Sequence, residues 1–118
     1  MRTIIAGTRE VQFKKACSLV CDALEQCGFA PQITEIIHGD ARGIDRAAKH
    51  VCAGFYPIID VPAEWDKFGK IAGHVRNEEM AKMADALICV WDGKSPGSRN
   101  MISIAKQYGL KIYIHHFD

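Results

Sequence analysis

Three glycine-bearing stretches supply residue types that can bind a phosphate group: Gly7-Thr8-Arg9, His38–Asp45 and Asp92–Ser98. Glycine lets an anion approach the backbone closely, and the first N–H groups of a following helix attract negative charge. Arginine adds a planar guanidinium that can hold two phosphate oxygens. Tight turns between a strand and a helix need glycine for geometry alone, so each stretch by itself is compatible with both interpretations.

The second stretch shows the pattern most fully. An apolar run, Ile33–Ile37, suits a buried strand, and two glycines then interrupt the chain. Ile44, Ala47 and Val51 resume the apolar pattern at helical spacing. A strand, a glycine-rich turn and a helix N-terminus in this order predict an anion site.

Five strands and four helices alternate along the rest of the chain. The predicted strands are Thr3–Ala6, Ile33–Ile37, Pro57–Val61, Ala86–Trp91 and Lys111–His115, and the predicted helices are 11–27, 44–54, 74–84 and 98–108. The segment 62–73 is predicted to be irregular. Alternation of this kind predicts right-handed βαβ units and a parallel sheet with helices on both faces. We therefore expect one α/β domain over residues 1–118, with three layers and a five-stranded, mainly parallel sheet.

Two of the predicted helices carry an apolar stripe. The first stripe comprises Phe13, Cys17, Val20, Leu24 and Cys27, and the last comprises Met101, Ile104, Ala105 and Tyr108. Both stripes are expected to face the core. In parallel sheets, ligands bind outside the carboxyl ends of the strands, near the point where strand order reverses. All three glycine-bearing stretches leave their strands at that edge, which favours one ligand site over three unrelated turns.

Bulk composition narrows the class of protein. The chain has 118 residues, 48% of them apolar and 25% charged, with a formal net charge of +1. These values are typical of globular domains and give no overall electrostatic reason to bind nucleic acid or membrane. No signal peptide is visible, the run Ala86–Trp91 is too short to span a bilayer, and the five cysteines form no C-x-x-C pair. We expect a cytoplasmic protein, without a metal site, since His115 and His116 are too few ligands.

Together these residues resemble the SLOG superfamily, the Rossmann-like group that contains the DprA/Smf proteins and the LOG phosphoribohydrolases. The resemblance is greatest to its single-domain YspA/YpsA-related branch and covers nearly the whole chain. It rests on five segments in order, namely Gly7-Thr8-Arg9, His38–Asp45, Pro62–Asp66, Ala72–Asn77 and Gly97–Met101. The resemblance implies a site for a nucleotide or a nucleotide-derived ligand, of the ADP-ribose type among others, and no required cofactor.

The predicted ligand-binding residues combine the three stretches with the segments of the resemblance. They are Gly7, Thr8, Arg9, Gly39, Asp40, Ala41, Arg42, Gly43, Asp45, Trp65, Arg76, Asn77, Gly97, Ser98, Arg99 and Asn100. Each has a structural alternative: a surface position for the arginines, a favourable helix-dipole position for Asp45, and core packing for Trp65, which is the favoured alternative for a tryptophan. Where many members have glycine this chain has Asp40, which is expected to point outward or to contact a ribose hydroxyl.

Arg76 is the arginine with the strongest case for a bound anion. A positive charge in the first turns of a helix opposes the helix dipole, so a bound anion would explain it. In a purely structural interpretation Glu78 or Glu79 would be its partner. We expect Arg76→Ala to leave stability nearly unchanged and to weaken binding.

Catalysis has less support than binding. Asp45 and Arg76 are the candidate catalytic residues. In the pattern of the LOG enzymes a carboxylate stands where this chain has Asn100, and an amide cannot stabilise a cationic ribose or activate water. LOG-type hydrolysis is therefore expected to be absent or very slow, unless Asp40 or Asp45 supplies a substitute carboxylate.

The leading interpretation is a module that binds a nucleotide or a nucleotide derivative for sensing or sequestration. A nucleoside-monophosphate phosphoribohydrolase is the alternative, and DprA-like binding of single-stranded DNA is the weaker one. Since net charge is near zero and no basic stripe is interleaved with aromatics, nucleic acid is expected to be an unlikely partner. No membrane partner is expected, and a homo-oligomer remains open.

Overall fold

A computed structural model describes all 118 residues, Met1–Asp118. Five strands form one sheet in the order β3-β2-β1-β4-β5, and every neighbouring pair is parallel. The strands are β1 (Arg2–Gly7), β2 (Glu35–His38), β3 (Ile58–Asp60), β4 (Ala86–Trp91) and β5 (Lys111–His116). The predicted α/β class and five-stranded sheet are confirmed, and the sheet is parallel throughout.

Five helices cover the sheet on both faces. They are α1 (Phe13–Gln26), α2 (Ile44–Cys52), α3 (Trp65–Phe68), α4 (Ala72–Met83) and α5 (Pro96–Gln107), with short 3-10 turns at Ala30–Gln32 and Gly69–Ile71. No helix combines the length and the apolar character needed to cross a bilayer.

Two apolar cores hold the three layers together. On one face, Ile5 and Ile36 of the sheet pack with α1 and α2. On the other face, Ile4 and Leu87 pack with α4 and α5. This alternation follows from strand geometry, because successive side chains of a strand point to opposite faces and β1 is covered on both. Each fully buried isoleucine or leucine contributes about 1.5–3 kcal/mol through removal of its surface from water.

The connections fix where a ligand site can form. From β1 the chain runs outward through α1 and α2 to β2 and β3, and it then crosses to the other face to enter β4 beside β1. Strand order therefore reverses between β1 and β4. The loops that follow these two strands diverge to opposite faces and leave a crevice at the carboxyl edge.

The predicted stripes of α1 and α5 face the apolar cores, except for the residue at one end of each stripe. In α1 the fully buried residues include Ala16 and Val20, whereas Phe13 is 49% exposed and meets the His50 ring edge-to-face, with the ring centres 5.3 Å apart. Small alanines let α1 approach the sheet closely, so the bulky phenylalanine stays at the helix end. In α5 Ile102 is buried where Tyr108 was expected, because the tyrosine lies in the cap and its hydroxyl donates a hydrogen bond to Glu78 (2.9 Å).

Candidate functional site

A cavity of about 390 Å³ opens at the crevice between β1 and β4. Its wall comes from the end of β1 and the loop after it, the start of α2, the segment 65–77 and the N-terminal turn of α5. Nine of the predicted residues line it, namely Gly7, Arg9, Ala41, Asp45, Trp65, Arg76, Asn77, Gly97 and Ser98. The three glycine-bearing stretches therefore meet at one place.

The other seven predicted residues lie outside this cavity. Gly39, Asp40 and Arg42 line an adjoining depression of about 360 Å³ that shares Arg9, Trp65 and Arg76 with the cavity. Thr8, Gly43, Arg99 and Asn100 line neither space. Arg42 instead pairs with the Glu10 carboxylate, and Asp40 points outward toward Arg46 (3.8 Å).

Asp45 and Arg76 hold one glycine peptide from its two sides. Asp45 Oδ2 accepts the Gly39 N–H at 3.1 Å, and Arg76 Nη1 donates to the Gly39 carbonyl. Asp45 is 4% exposed and Arg76 is 7% exposed. In the purely structural interpretation Glu78 or Glu79 was the partner of Arg76, and this alternative is wrong. The backbone carbonyl of Gly39, directly after β2, and the buried carboxylate of Asp45 in α2 take that place.

For both Asp45 and Arg76, burial affects the pKa more than the attraction between their opposite charges does. Burial raises the pKa of Asp45 to about 6, although Arg76 and the N–H of Gly39 act in the opposite direction. Burial also lowers the pKa of Arg76, and the Asp45 charge offsets only part of that effect. Arg9, a second positive charge nearby, disfavours the Arg76 charge further. Two arginines facing one partly neutralised carboxylate leave a net positive site that suits an anion.

The free energy of unfolding is expected to depend on pH because the pKa of Asp45 is raised in the folded state. The folded state holds this proton up to about pH 6, whereas the unfolded chain releases it near the ordinary value of 3.8. The folded state therefore binds more protons between these values, so this stabilising contribution is complete at lower pH and is lost as pH rises through about 6. Urea denaturation from about pH 4 to about pH 7 measures the loss. Asp45→Asn, which does not titrate, should lack it, and parallel profiles for the two proteins would contradict the assignment.

The glycines of the second stretch are required by packing. A Cβ at Gly39 would overlap the Arg76 guanidinium and would lie 2.8 Å from Asp45 Oδ2. Gly43 has φ of +82°, and a Cβ there would lie 2.5 Å from the Thr8 carbonyl. These glycines bring the end of β2 against the loop after β1. Their geometric role is thus clear, whereas close approach of a phosphate to them stays a prediction.

Asp45 and Arg76 form a clamp around the Gly39 peptide. His38 fixes the turn next to this clamp and was not predicted as a site residue. Its Nδ1 accepts the Asp40 N–H at 3.0 Å and its Nε2 faces the Asp60 carboxylate. Burial lowers the pKa of His38, and Asp60 acts in the opposite direction. A neutral ring that accepts at Nδ1 must carry its proton on Nε2, toward Asp60. This arrangement holds Asp40 at φ +55°, the single non-glycine residue with positive φ.

A polar chain links the clamp to α5. The Asn77 Oδ1 accepts from Arg76 Nε at 3.0 Å, and the Asn77 Nδ2 donates to Asn100 Oδ1 at 2.9 Å. Asn100 therefore stabilises the contact between α4 and α5 from a position outside the cavity wall.

Thr8, like Asn100, has a structural role outside the cavity wall. Its Oγ1 accepts the Asp92 N–H at 3.1 Å and the Ser95 hydroxyl at 3.3 Å. Asp92 Oδ1 in turn accepts the N–H groups of Lys94 and Ser95. These bonds tie the loop after β4 to the loop after β1 and set the position at which α5 begins.

The N-terminal turn of α5 forms one wall of the cavity. Pro96 occupies a first-turn position, so the helix begins two residues before the predicted Ser98, and no side chain caps it. Ser98 is 4% exposed and its hydroxyl, beside the buried Cys89 thiol, has no hydrogen-bond partner. Unpartnered backbone N–H groups at a helix start can bind an anion.

Trp65 stands at the mouth of the cavity and is 51% exposed. The favoured core-packing alternative is therefore wrong for this residue. The Arg9 guanidinium lies over its ring, 5.8 Å from the ring centre. The segment expected to be irregular folds into α3 and a 3-10 turn, which carry Trp65 and Lys70 to the cavity. Lys70 and His74 also line the cavity, and neither was predicted as a site residue, although His74 lies within the Ala72–Asn77 segment of the resemblance.

The structure brings together no group of three histidine, cysteine, aspartate or glutamate side chains that could hold a metal ion.

The fold is similar to that of DNA processing protein A from Helicobacter pylori, a protein with a single-stranded DNA binding mode. The two structures superpose with a TM-score of 0.69 at 18% sequence identity, over 97% of this chain and 64% of that chain. The present chain therefore spans less than two thirds of that protein. The likeness confirms the DprA-type, Rossmann-like fold that the resemblance implied, and it does not distinguish the YspA branch.

The expectation that nucleic acid is an unlikely partner is wrong. It rested on net charge and on the lack of a basic stripe interleaved with aromatics, whereas a protein with this fold binds single-stranded DNA. Net charge sums the whole surface and hides a local excess. At this edge Arg9, Lys70 and Arg76 face the cavity, and the carboxylate of Glu10 is already paired with Arg42.

Sequence comparison identifies the family. No family model matches the chain. The gene 61 protein of Mycobacterium phage D29 aligns with it at 31% identity over 119 positions, which cover 94% of this chain and 93% of the phage protein. Similarity of that extent over almost the full length of both proteins shows that the chain belongs to the family of the phage D29 gene 61 protein.

Proposed function

We propose that this protein binds single-stranded DNA at the carboxyl edge of its sheet, with one nucleotide held in the cavity. The observation that carries the proposal is the half-exposed Trp65 ring at the cavity mouth with the Arg9 guanidinium over it. Bases stack on such rings whatever their sequence, and the arginine can pair with the adjoining phosphate. The DNA-binding protein with the same fold lends support.

The charges around the cavity suit a phosphate backbone. Arg9 and Lys70 are exposed at its wall, and Arg76 lies deeper with Asp45 as its counter-charge. The start of α5 adds backbone N–H donors on the opposite wall. A phosphate between these walls would meet cations on one side and a helix N-terminus on the other.

Fluorescence anisotropy of a labelled thymidine oligonucleotide tests the proposal. We expect binding that weakens with salt, with a slope of log K against log salt of about −0.7 for each phosphate contacted. Arg9→Gln should weaken binding and reduce this slope. Lys82→Gln removes the same charge from an exposed position at the far end of α4 and should change neither. Absence of binding at low salt would overturn the proposal.

Gly97→Ala is expected to weaken oligonucleotide binding without loss of stability. Gly97 lines the cavity, and a Cβ there would meet no atom within 4 Å, so the methyl group would occupy space left for the ligand. Since Gly97 lies in α5, alanine should leave the free energy of unfolding unchanged or raise it by about 0.5–1 kcal/mol.

Urea denaturation and the anisotropy assay measure the two effects. Ser103→Ala, at an exposed position of the same helix, is the matched control and should leave binding unchanged. Native affinity in the Gly97→Ala protein would mean that the strand does not enter the cavity.

A free nucleotide or nucleotide derivative, held for sensing or sequestration, is the second candidate function. The cavity volume of about 390 Å³ favours it, because small-molecule sites commonly measure about 300–1,000 Å³. The resemblance to the YspA/YpsA-related branch points the same way. A thermal-shift panel of mono-, di-, tri- and cyclic nucleotides, NAD and ADP-ribose tests it, since ligand at about 100 times its Kd adds about 2.7 kcal/mol. A shift without any oligonucleotide binding would replace the DNA proposal.

Hydrolysis of nucleotides is expected to be absent. Asn100 supplies an amide that is already bonded to Asn77, and the buried Asp45 carboxylate holds the Gly39 N–H. Neither is free to activate water. Chromatography of AMP or GMP incubated with the protein should therefore reveal no released base. Turnover by the native protein that disappears in Asp45→Asn would establish an enzyme instead.

A further inference from the structure

Both tryptophans of the chain lie at the carboxyl edge of the sheet, and an arginine covers each ring. Trp65 carries Arg9 at 5.8 Å, and Trp91 carries Arg99 at 5.7 Å. The first pair borders the cavity, whereas the second lies outside it. The proposed function therefore leaves the second pair without a role.

The second pair has a third planar partner. Trp91 ends β4 and is in register with His116 at the end of β5. The two rings lie 5.6 Å apart with an interplanar angle of 37°. Trp91 Nε1 donates to the Ser95 carbonyl at 3.1 Å, which fixes the indole against the start of α5. We name the group of indole, imidazole and guanidinium the β4–β5 platform (Trp91, Arg99 and His116).

The polar groups of the platform are accessible to a ligand. Arg99 and His116 are exposed, and no carboxylate of the protein lies within ion-pair distance of Arg99. The nearby Asp92 is engaged with the N–H groups of Lys94 and Ser95, which lower its pKa. A phosphate beside Arg99 would therefore meet little competition from the protein's own carboxylates.

The platform is continuous with the cavity. Ser95, whose carbonyl holds the Trp91 ring, and Gly97 both line the cavity, and Arg99 follows on the same turn of α5. A strand that leaves the cavity over the N-terminal turn of α5 reaches Trp91 next. We infer that single-stranded DNA continues across this turn and stacks a second base on the β4–β5 platform, with Arg99 at the adjoining phosphate. The inference rests on the proposed function and extends it to a second nucleotide subsite.

Tryptophan fluorescence tests the platform separately from DNA binding itself. In Trp65→Phe, Trp91 is the remaining tryptophan. Its emission should be quenched by a thymidine oligonucleotide of about twelve nucleotides and unchanged by thymidine monophosphate. In Trp91→Phe the remaining Trp65 should respond to both. Phe55→Ala in the Trp65→Phe background is the matched control, because Phe55 is 81% exposed and follows α2 at the opposite edge, and it should leave the quenching unaltered.

The outcomes separate the two proposals. An oligonucleotide that binds by anisotropy but leaves Trp91 emission unchanged would overturn the β4–β5 platform alone. No anisotropy change with any oligonucleotide would overturn the proposed function and the platform with it. Quenching by a uridine oligonucleotide and not by the thymidine one would overturn the assignment to DNA.

A charge variant gives a second, independent measure. Arg99→Gln is expected to weaken binding of the longer oligonucleotide and to reduce its salt slope by about 0.7, the value for one phosphate contact. Lys106→Gln, at the far end of the same helix, should alter neither quantity. Equal slopes for the native protein and Arg99→Gln would exclude a phosphate at this position.

Discussion

Replacing Arg76 by alanine is expected to lower the free energy of unfolding by about 3–5 kcal/mol. The guanidinium is 7% exposed and donates to the Gly39 carbonyl and to Asn77 Oδ1. Its removal leaves that carbonyl unpaired and leaves the buried Asp45 charge without its counter-charge. Chemical denaturation followed by circular dichroism measures the loss.

Two further variants assign the loss to the clamp around Gly39. Lys82→Ala lies at an exposed position of the same helix and should change stability by less than about 0.5 kcal/mol. Asp45→Asn combined with Arg76→Ala removes both charges, so it should cost less than the sum of the two single variants. Native stability of the Arg76→Ala protein would contradict the clamp and would restore the expectation drawn from the sequence.

The structure leads to the opposite expectation because the sequence argument used one helix at a time. From the sequence Arg76 is a cation near the start of a helix, with Glu78 and Glu79 as the acidic residues beside it. Gly39, directly after β2, and Asp45 in α2 are its long-range partners, and strand order and the crossover to α4 bring them together. Local spacing carries no information about contacts of this kind.

Strong local patterns gave better predictions. β4 was predicted with both bounds correct, since Ala86–Val90 is an unbroken run of fully buried residues between a helix end and a glycine turn. Convergence of the three glycine-bearing stretches followed from strand alternation alone, because parallel strands end at a shared edge. α5 began two residues earlier than expected because Pro96, which suits a first helical turn, was assigned to the loop.

Trp65 illustrates the remaining difficulty. Its flanking segment has no periodic apolar pattern, so composition favoured a buried ring over an exposed one. The short α3 and the following 3-10 turn carry it to the cavity mouth instead. A similar difficulty affected the expectation about nucleic acid, because a net charge of +1 does not show where arginines cluster on the surface.

Trp65→Ala is therefore expected to have the largest effect on DNA binding. Loss of one stacked base should weaken binding of a thymidine oligonucleotide by about 1–3 kcal/mol, or roughly 5- to 150-fold. The ring is 51% exposed and belongs to neither apolar core, so the free energy of unfolding should change little. Anisotropy titrations at fixed salt measure the affinity, and urea denaturation checks the fold.

A conservative substitution and a substitution at a distant position serve as controls for this prediction. Trp65→Phe keeps a ring for stacking and should retain much of the affinity that alanine removes. Phe55→Ala removes an aromatic ring that is 81% exposed at the opposite edge, and it should leave binding unchanged. Equal affinities for Trp65→Ala and the native protein would show that the base does not stack at the cavity mouth. The salt slope should stay close to native in Trp65→Ala, because stacking releases no counterions, whereas Arg9→Gln should reduce it.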